Sequence, residues 1–404
     1  MEESKITKEQ RALLGLMGQA LFSAPFTADP DVDWRAVMEE SRLQSVVALA
    51  FQSYSSLPIG EENAALLKPY MKKCALSGLN SFKGHAYLHA LLTKHGIPYC
   101  ILKGVASAQY YKEPLLRSMG DIDFYVPPAY LTRALDVLTA DGFSWNDVGD
   151  YRHVPLTKDL MHLELHTAPI GLEVGGESQR EIFLEYWSDI CERGQLKNVG
   201  MGECVLPSDF HHGFIQLAHF RKHFVYSGVG LRHVCDWAVF ANSFSDEEFV
   251  KFFEAPMKRV GLWRLAQILS LSAARHLGMP YRPWMGEEYE VADELFEEVM
   301  HVGNFGESAE GRGYENLFIS YGSGRRRSRI VCAVKSMNRM VSARWPFAKR
   351  CPLLYPFGWG YVSLRFLVKV LRGQRKINVA KAYREGGRRV KLYQRLGFLD
   401  GEQK

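Results

Sequence analysis

The chain is 404 residues long, 47% hydrophobic and 24% charged, with a formal net charge of +5. That length and apolar content suit two or three packed domains and exclude a disordered chain. The seven cysteines (74, 100, 191, 204, 235, 332, 351) form no close pair, so neither a disulfide framework nor a cysteine zinc site is expected.

The first 95 residues read as a helical region: "KEQRALLGLMGQAL", then "DWRAVMEESRLQSVVALAFQSY" with Asp33 as N-cap, then a long helix ending at Gly96 and Pro98. Glu2, Glu3 and Glu9 balance the basic residues at the amino terminus, which is wrong for an export signal. No apolar run is long enough to span a bilayer, the best one being interrupted by Pro, Gly, Arg365 and Lys369. A cytoplasmic protein is expected.

Residues 96–200 change texture. "IPYCILKG" is a short apolar strand ending on glycine, "VASAQYY" is helix-like, and "DIDFYV" is a second strand. "PAYLTRALDVLTADG" is an amphipathic helix opened by Pro and closed by Gly. "YRHVPL" and "MHLELHTAP" are two more strands, the second alternating Leu163 and Leu165 with His162, Glu164 and His166. Strands and helices alternating this closely make a compact α/β unit. Helices return over residues 201–302, including "DEEFVKFFEAPMKRVGLWRLAQILSLSAARHLG", and a glycine-rich linker is expected over 303–324.

The remaining segment, 325–404, carries 21 Lys and Arg against 3 Asp and Glu, a net of +18, which leaves −13 on residues 1–324. Such a basic region suits an anionic membrane surface or an acidic partner, including the acidic body of the same chain, with nucleic acid a weaker alternative. A peripheral position at the inner membrane face is one consequence.

Asp121 and Asp123 concentrate the chemistry. Residues i and i+2 of a strand project to one side, so their carboxylates can address one point. Two carboxylates held together repel unless a cation lies between them, and hard oxygens suit Mg²⁺. A capped surface turn is the plainer alternative for the tripeptide alone. Upstream, Gly104 ends a strand and leads into a helix, a turn at which phosphate can approach closely. Lys103 adds a charge beside it, Arg117 can fork onto phosphate oxygens, and Ser118 lies three residues before Asp121. Glu164 has the strand parity of a third carboxylate.

The run "ILKGVASAQYYKEPLLRSMGDIDFYVPPAYLTRALDVL" resembles the core of the polymerase-β-type nucleotidyltransferase superfamily. Within it, "LKG", "Y..P..R", "DID" and "ELH" are similar to a poorly characterised nucleotidyltransferase family often found near bacterial polysaccharide and natural-product genes. The likeness spans roughly residues 10–300 and is strongest over 97–166. It implies an α+β fold, a mixed-sheet nucleotidyltransferase core flanked by N- and C-terminal helical regions. It also implies Mg²⁺, or Mn²⁺, on Asp121, Asp123 and Glu164, with Glu173 as the substitute third acid. Lys103, Gly104, Arg117 and Ser118 would line the nucleotide pocket. Val105 departs from the superfamily pattern, which usually has Ser or a second Gly after the turn glycine.

The implied reaction is in-line displacement at the α-phosphorus of an NTP, expected to be ATP, by a hydroxyl of an unidentified acceptor. Glu164 would act as a metal ligand or as the general base. Loss of turnover would leave a nucleotide-binding scaffold, and RNA-directed transfer is a further alternative. His166, His219, Lys222 and His223 are candidates for the substrate cleft, a hydrogen-bonded structural histidine being the alternative for His166. His219 and His223 are four apart, zinc-compatible spacing without an obvious third ligand. Arg232 and Asp236, also four apart, are expected to pair.

Overall fold

The computed structural model describes residues 6–146, 152–170 and 177–303, and most of 334–398. The chain forms two compact units, Met1–Ser308 and Ala309–Lys404.

In the first unit, α1 (Lys8–Phe22) starts at Thr7, whose hydroxyl accepts from the Gln10 N–H while the Gln10 side chain accepts from the Thr7 N–H. This reciprocal cap satisfies two donors that a helix start leaves orphaned. Asp33 caps α2 (Trp34–Leu43), accepting from the N–H groups of Arg35 and Ala36, as its position in the sequence predicts. A single turn, α3 (Val47–Ala50), leads to the long α4 (Gly60–Lys94), which ends at Gly96 with φ +59°.

The sheet follows. Strand β1 (Cys100–Ile101) is joined through the short α5 (Val105–Ala108) to β2 (Ile122–Tyr125), and α6 (Leu131–Ala140) leads on to β3 (His153–Lys158) and β4 (Met161–His166). The strand order is β1-β2-β4-β3, with β2 and β4 parallel and the outer pairs antiparallel. Ile122, Phe124, Leu163 and Leu165 share one face and join Phe82, Leu88 and Leu92 of α4 and Leu135 and Leu138 of α6 in one core. Gly84 makes this packing possible: a Cβ there would stand 2.9 Å from Ile122 Cδ1. The opposite face carries the polar side chains, because period-2 alternation sends Asp123, Glu164 and His166 away from that core.

Beyond α7 (Glu177–Trp187) an unanticipated hairpin, β5 (Gln195–Asn198) and β6 (Glu203–Leu206), pairs antiparallel. It leads into α8 (Asp209–Tyr226), capped by Ser208, and α9 (Leu231–Ala241). The "DEEFVKFF…ARHLG" stretch is helical, as expected, but interrupted. A π turn at Val250–Glu254 separates α10 (Asp246–Phe249) from α11 (Ala255–Arg259), and Gly261, φ +69°, precedes α12 (Trp263–Leu277). Helix α13 (Tyr289–Val302) follows. The α+β organisation expected from the sequence is present: a small mixed sheet with helical flanks.

In the second unit, α14 (Tyr355–Leu371) and α15 (Val379–Arg395) are the long elements. Among the described residues no helix is long and apolar enough to cross a membrane. The linker expected at 303–324 lies outside the described residues except for Gly303, and Glu173 lies outside them altogether.

Candidate active site

Asp123 on β2 and Glu164 on β4 are register partners across the parallel pair, so their carboxylates project side by side. Asp121 stands one residue before the strand begins, on the same approach. His166 shares the face of Glu164, and His153 on β3 lies directly across from His166. Strand parity thus collects three acids and two imidazoles from separated parts of the chain.

Asp123 is buried, yet its carboxyl lies well below the ordinary range. Burial alone would raise it, but the Lys103 ammonium at 2.6 Å and the His166 Nε2–H at 3.0 Å, both on Oδ1, outweigh that effect. Asp121 shifts the other way: partial burial, then repulsion by Glu164 and Asp123, raises it. The three acids therefore form an unbalanced negative cluster at its outer member. His153 Nε2 lies 3.0 Å from Glu164 Oε2, and this hydrogen bond raises the His153 pKa.

Lys103 also donates to His219 Nε2 at 3.3 Å, tying the end of β1 to α8. The next residue, Gly104, has φ +67° and ψ −114°, and a Cβ there would stand 3.1 Å from His85 Nε2. Glycine is required twice, by the backbone conformation and by the imidazole beneath it. His85 is fully buried, with Nδ1 donating to the Ser81 carbonyl at 2.7 Å, and burial pushes it down to about 4.

Arg117 is held inside the protein. Its Nε and a terminal nitrogen each lie 2.7 Å from a different oxygen of Asp236, and Tyr111 donates to the same carboxylate at 2.7 Å. Asp236 thus pairs with Arg117, 119 residues away, instead of with Arg232 on its own helix. Arg232 turns to the Ser118 carbonyl, which also accepts from Arg117, both at 3.2 Å. Burial would raise Asp236, but the Arg117 charge lowers it.

The site opens into two cavities. One, about 360 Å³, is lined by Lys103, Gly104, Arg117, Asp121, Asp123 and Arg232 among others. The second, about 590 Å³, is lined by Arg152, His153, His166, Arg180 and Lys222 among others. Lys103, Glu164, His219 and His223 belong to both walls. Ser118 contributes its carbonyl to the hydrogen bonding around the first cavity.

The His219 and His223 rings on α8 lie 4.3 Å apart, tilted to each other, and His233 of α9 stacks 5.5 Å from His219, a neighbour that spacing on α8 did not reveal. His153 and His85 were also missed. His153 could have been found by pairing the two predicted strands in register, whereas nothing local marks His85.

The imidazoles of α8 and α9 make acid stability a sharp test. Burial holds His212 and His223 at about 3 and His219 and His233 well below 6.5. Each is neutral when folded and protonates near pH 6.5 when unfolded, so the unfolded chain binds more protons below that pH. Stability present above about pH 6.5 should be lost progressively as the pH falls toward 4. Thermal midpoints measured from pH 7 to 4 should fall throughout; a flat profile from 7 to 5 would refute neutral burial.

A small mixed sheet with acids and imidazoles gathered on one face is the arrangement expected of a nucleotidyltransferase core. The chain matches the uncharacterised nucleotidyltransferase family over residues 30–278 and belongs to that family. It is a transferase, and nucleotidyl transfer is its general reaction. No curated protein and no solved structure matches it.

Proposed function

We propose that the protein moves a nucleoside monophosphate, AMP from ATP, onto a hydroxyl of a small molecule, sugar or protein. The reading rests on one observation: Asp123 and Glu164 project side by side in register, with Asp121 next to them and the Lys103–Gly104 turn alongside. Three carboxylates supply the hard oxygen donors that Mg²⁺ prefers, with Mn²⁺ an acceptable substitute. Asp121, Asp123 and Glu164 would hold the ion, which when bound supplies charge neutralisation for the triphosphate and acidifies a hydroxyl.

The protein's own groups do the rest. Gly104 removes the side chain that would keep phosphate from the backbone, and Lys103 turns from Asp123 toward the triphosphate oxygens. The Arg117–Asp236 pair keeps the wall behind them rigid. The acceptor oxygen forms its bond to the α-phosphorus as the bond to the β-phosphate bridging oxygen breaks. The hydroxyl proton passes to Glu164 and pyrophosphate leaves. Mg-ATP at a hundredfold excess over its dissociation constant should stabilise the fold by about 2.7 kcal/mol, read as a higher thermal midpoint. No shift with any of the four Mg-NTPs would count against the reading.

We further propose that the second unit rests on an anionic lipid surface. Leu353, Phe357, Tyr361 and Leu364 are 82%, 72%, 42% and 62% exposed at spacings of four, four and three, one stripe along α14 and the turn before it. The net charge of +18 over 325–404 suits acidic headgroups around such a stripe. The full chain should sediment with phosphatidylglycerol vesicles but not with neutral phosphatidylcholine ones. A Phe357→Ser, Leu364→Ser double variant should stay in the supernatant; wild-type protein that ignores both vesicle types would end the proposal.

A further inference from the structure

The face that carries Glu164 also carries a second kind of donor set. His153 and His166 are direct cross-strand partners on β3 and β4, and Glu164, two residues before His166, shares their side. His153 Nε2 lies 3.0 Å and His166 Nε2 lies 3.8 Å from the same Glu164 oxygen. The three ligand atoms all fall within 4.8 Å of one another, and the ring centroids are 4.9 Å apart. Donors bound about 2.1 Å from a tetrahedral ion stand about 3.4 Å from each other. These two separations bracket that value.

Imidazole nitrogen is a poor ligand for Mg²⁺ and a good one for first-row transition ions. We propose that His153, Glu164 and His166 form a site for such an ion, with Zn²⁺ the best match, chemically distinct from the all-carboxylate set and sharing Glu164 with it. Two histidines and a carboxylate leave a fourth position open, and all three residues line the 590 Å³ cavity, so that position faces solvent or acceptor. Lys103, Arg152, Arg180 and Lys222 line the same cavity and favour an anionic fourth ligand. Binding at His166 Nε2 replaces its hydrogen bond to Asp123, and binding at Glu164 withdraws the third acid from Asp121 and Asp123. Occupancy therefore opposes nucleotidyl transfer.

Cobalt provides the readout, because tetrahedral Co²⁺ absorbs visible light strongly. The full chain, stripped with chelator and dialysed, should bind one Co²⁺ with that absorption, and Zn²⁺ but not Mg²⁺ should displace it. His153→Ala should weaken Co²⁺ binding about tenfold or more, while Asp121→Asn should leave it unchanged. Absent cobalt absorption, wild-type affinity in His153→Ala, or loss of binding in Asp121→Asn would each overturn the site. Mg-ATP stabilisation, measured separately, keeps such a failure distinct from failure of the nucleotidyltransferase reading.

Discussion

Asp123→Asn is expected to slow nucleotidyl transfer by about 10²–10³-fold, equivalent to about 3–4 kcal/mol of barrier. The substitution preserves volume and an oxygen that can still accept from Lys103 and His166, so the fold should survive. What it removes is the charge that Lys103 and His166 hold below the ordinary carboxylate range. Turnover of ATP label into product by extract, compared at equal folded protein, measures it. A variant within about threefold of wild type would remove Asp123 from the chemistry.

Asp236→Ala is expected to destabilise the protein by about 3–5 kcal/mol. Arg117 Nε, its terminal nitrogen and the Tyr111 hydroxyl all lose their acceptor at once. Arg117 and Arg232 would then share a buried region without the carboxylate that offsets them. Urea denaturation should show the loss as a lower midpoint. Replacing both partners, as in Asp236→Leu with Arg117→Met, should recover part of it, since an apolar pair leaves no orphaned charge. A loss under about 1 kcal/mol for Asp236→Ala would contradict the assignment of Arg117 to a structural pair.

The contrast between these two residues shows where local sequence is informative. Asp121 and Asp123 could be set on one side in advance because strand parity is a period-2 property; Glu164 had matching parity, and the family resemblance grouped it with them. The parallel β2–β4 register then sets Asp123 opposite Glu164. The Asp33 and Gly96 helix boundaries were legible for the same reason: a cap is decided within four residues.

Contacts decided over long separations were not legible. Helical spacing offered Arg232 as the partner of Asp236, but tertiary packing brought Arg117 closer with a forked, two-bond geometry that a neighbour four residues along did not match. His85 lies beneath Gly104 only because α4 crosses β2 closely at Gly84. The β5–β6 hairpin escaped notice because β5, "QLKN", is polar and largely exposed, with no alternation to mark it. The interruptions before α11 and α12, at the π turn and at Gly261, carry no mark in a stretch that reads simply as helical.

The most direct measurement is incubation of the purified chain with Mg²⁺, α-labelled ATP and a small-molecule extract, followed by mass spectrometry. The account predicts a product heavier by one AMP unit, pyrophosphate in equal amount, and neither with Asp123→Asn. No labelled product from any of the four nucleotides, or an equal yield from the variant, would contradict it.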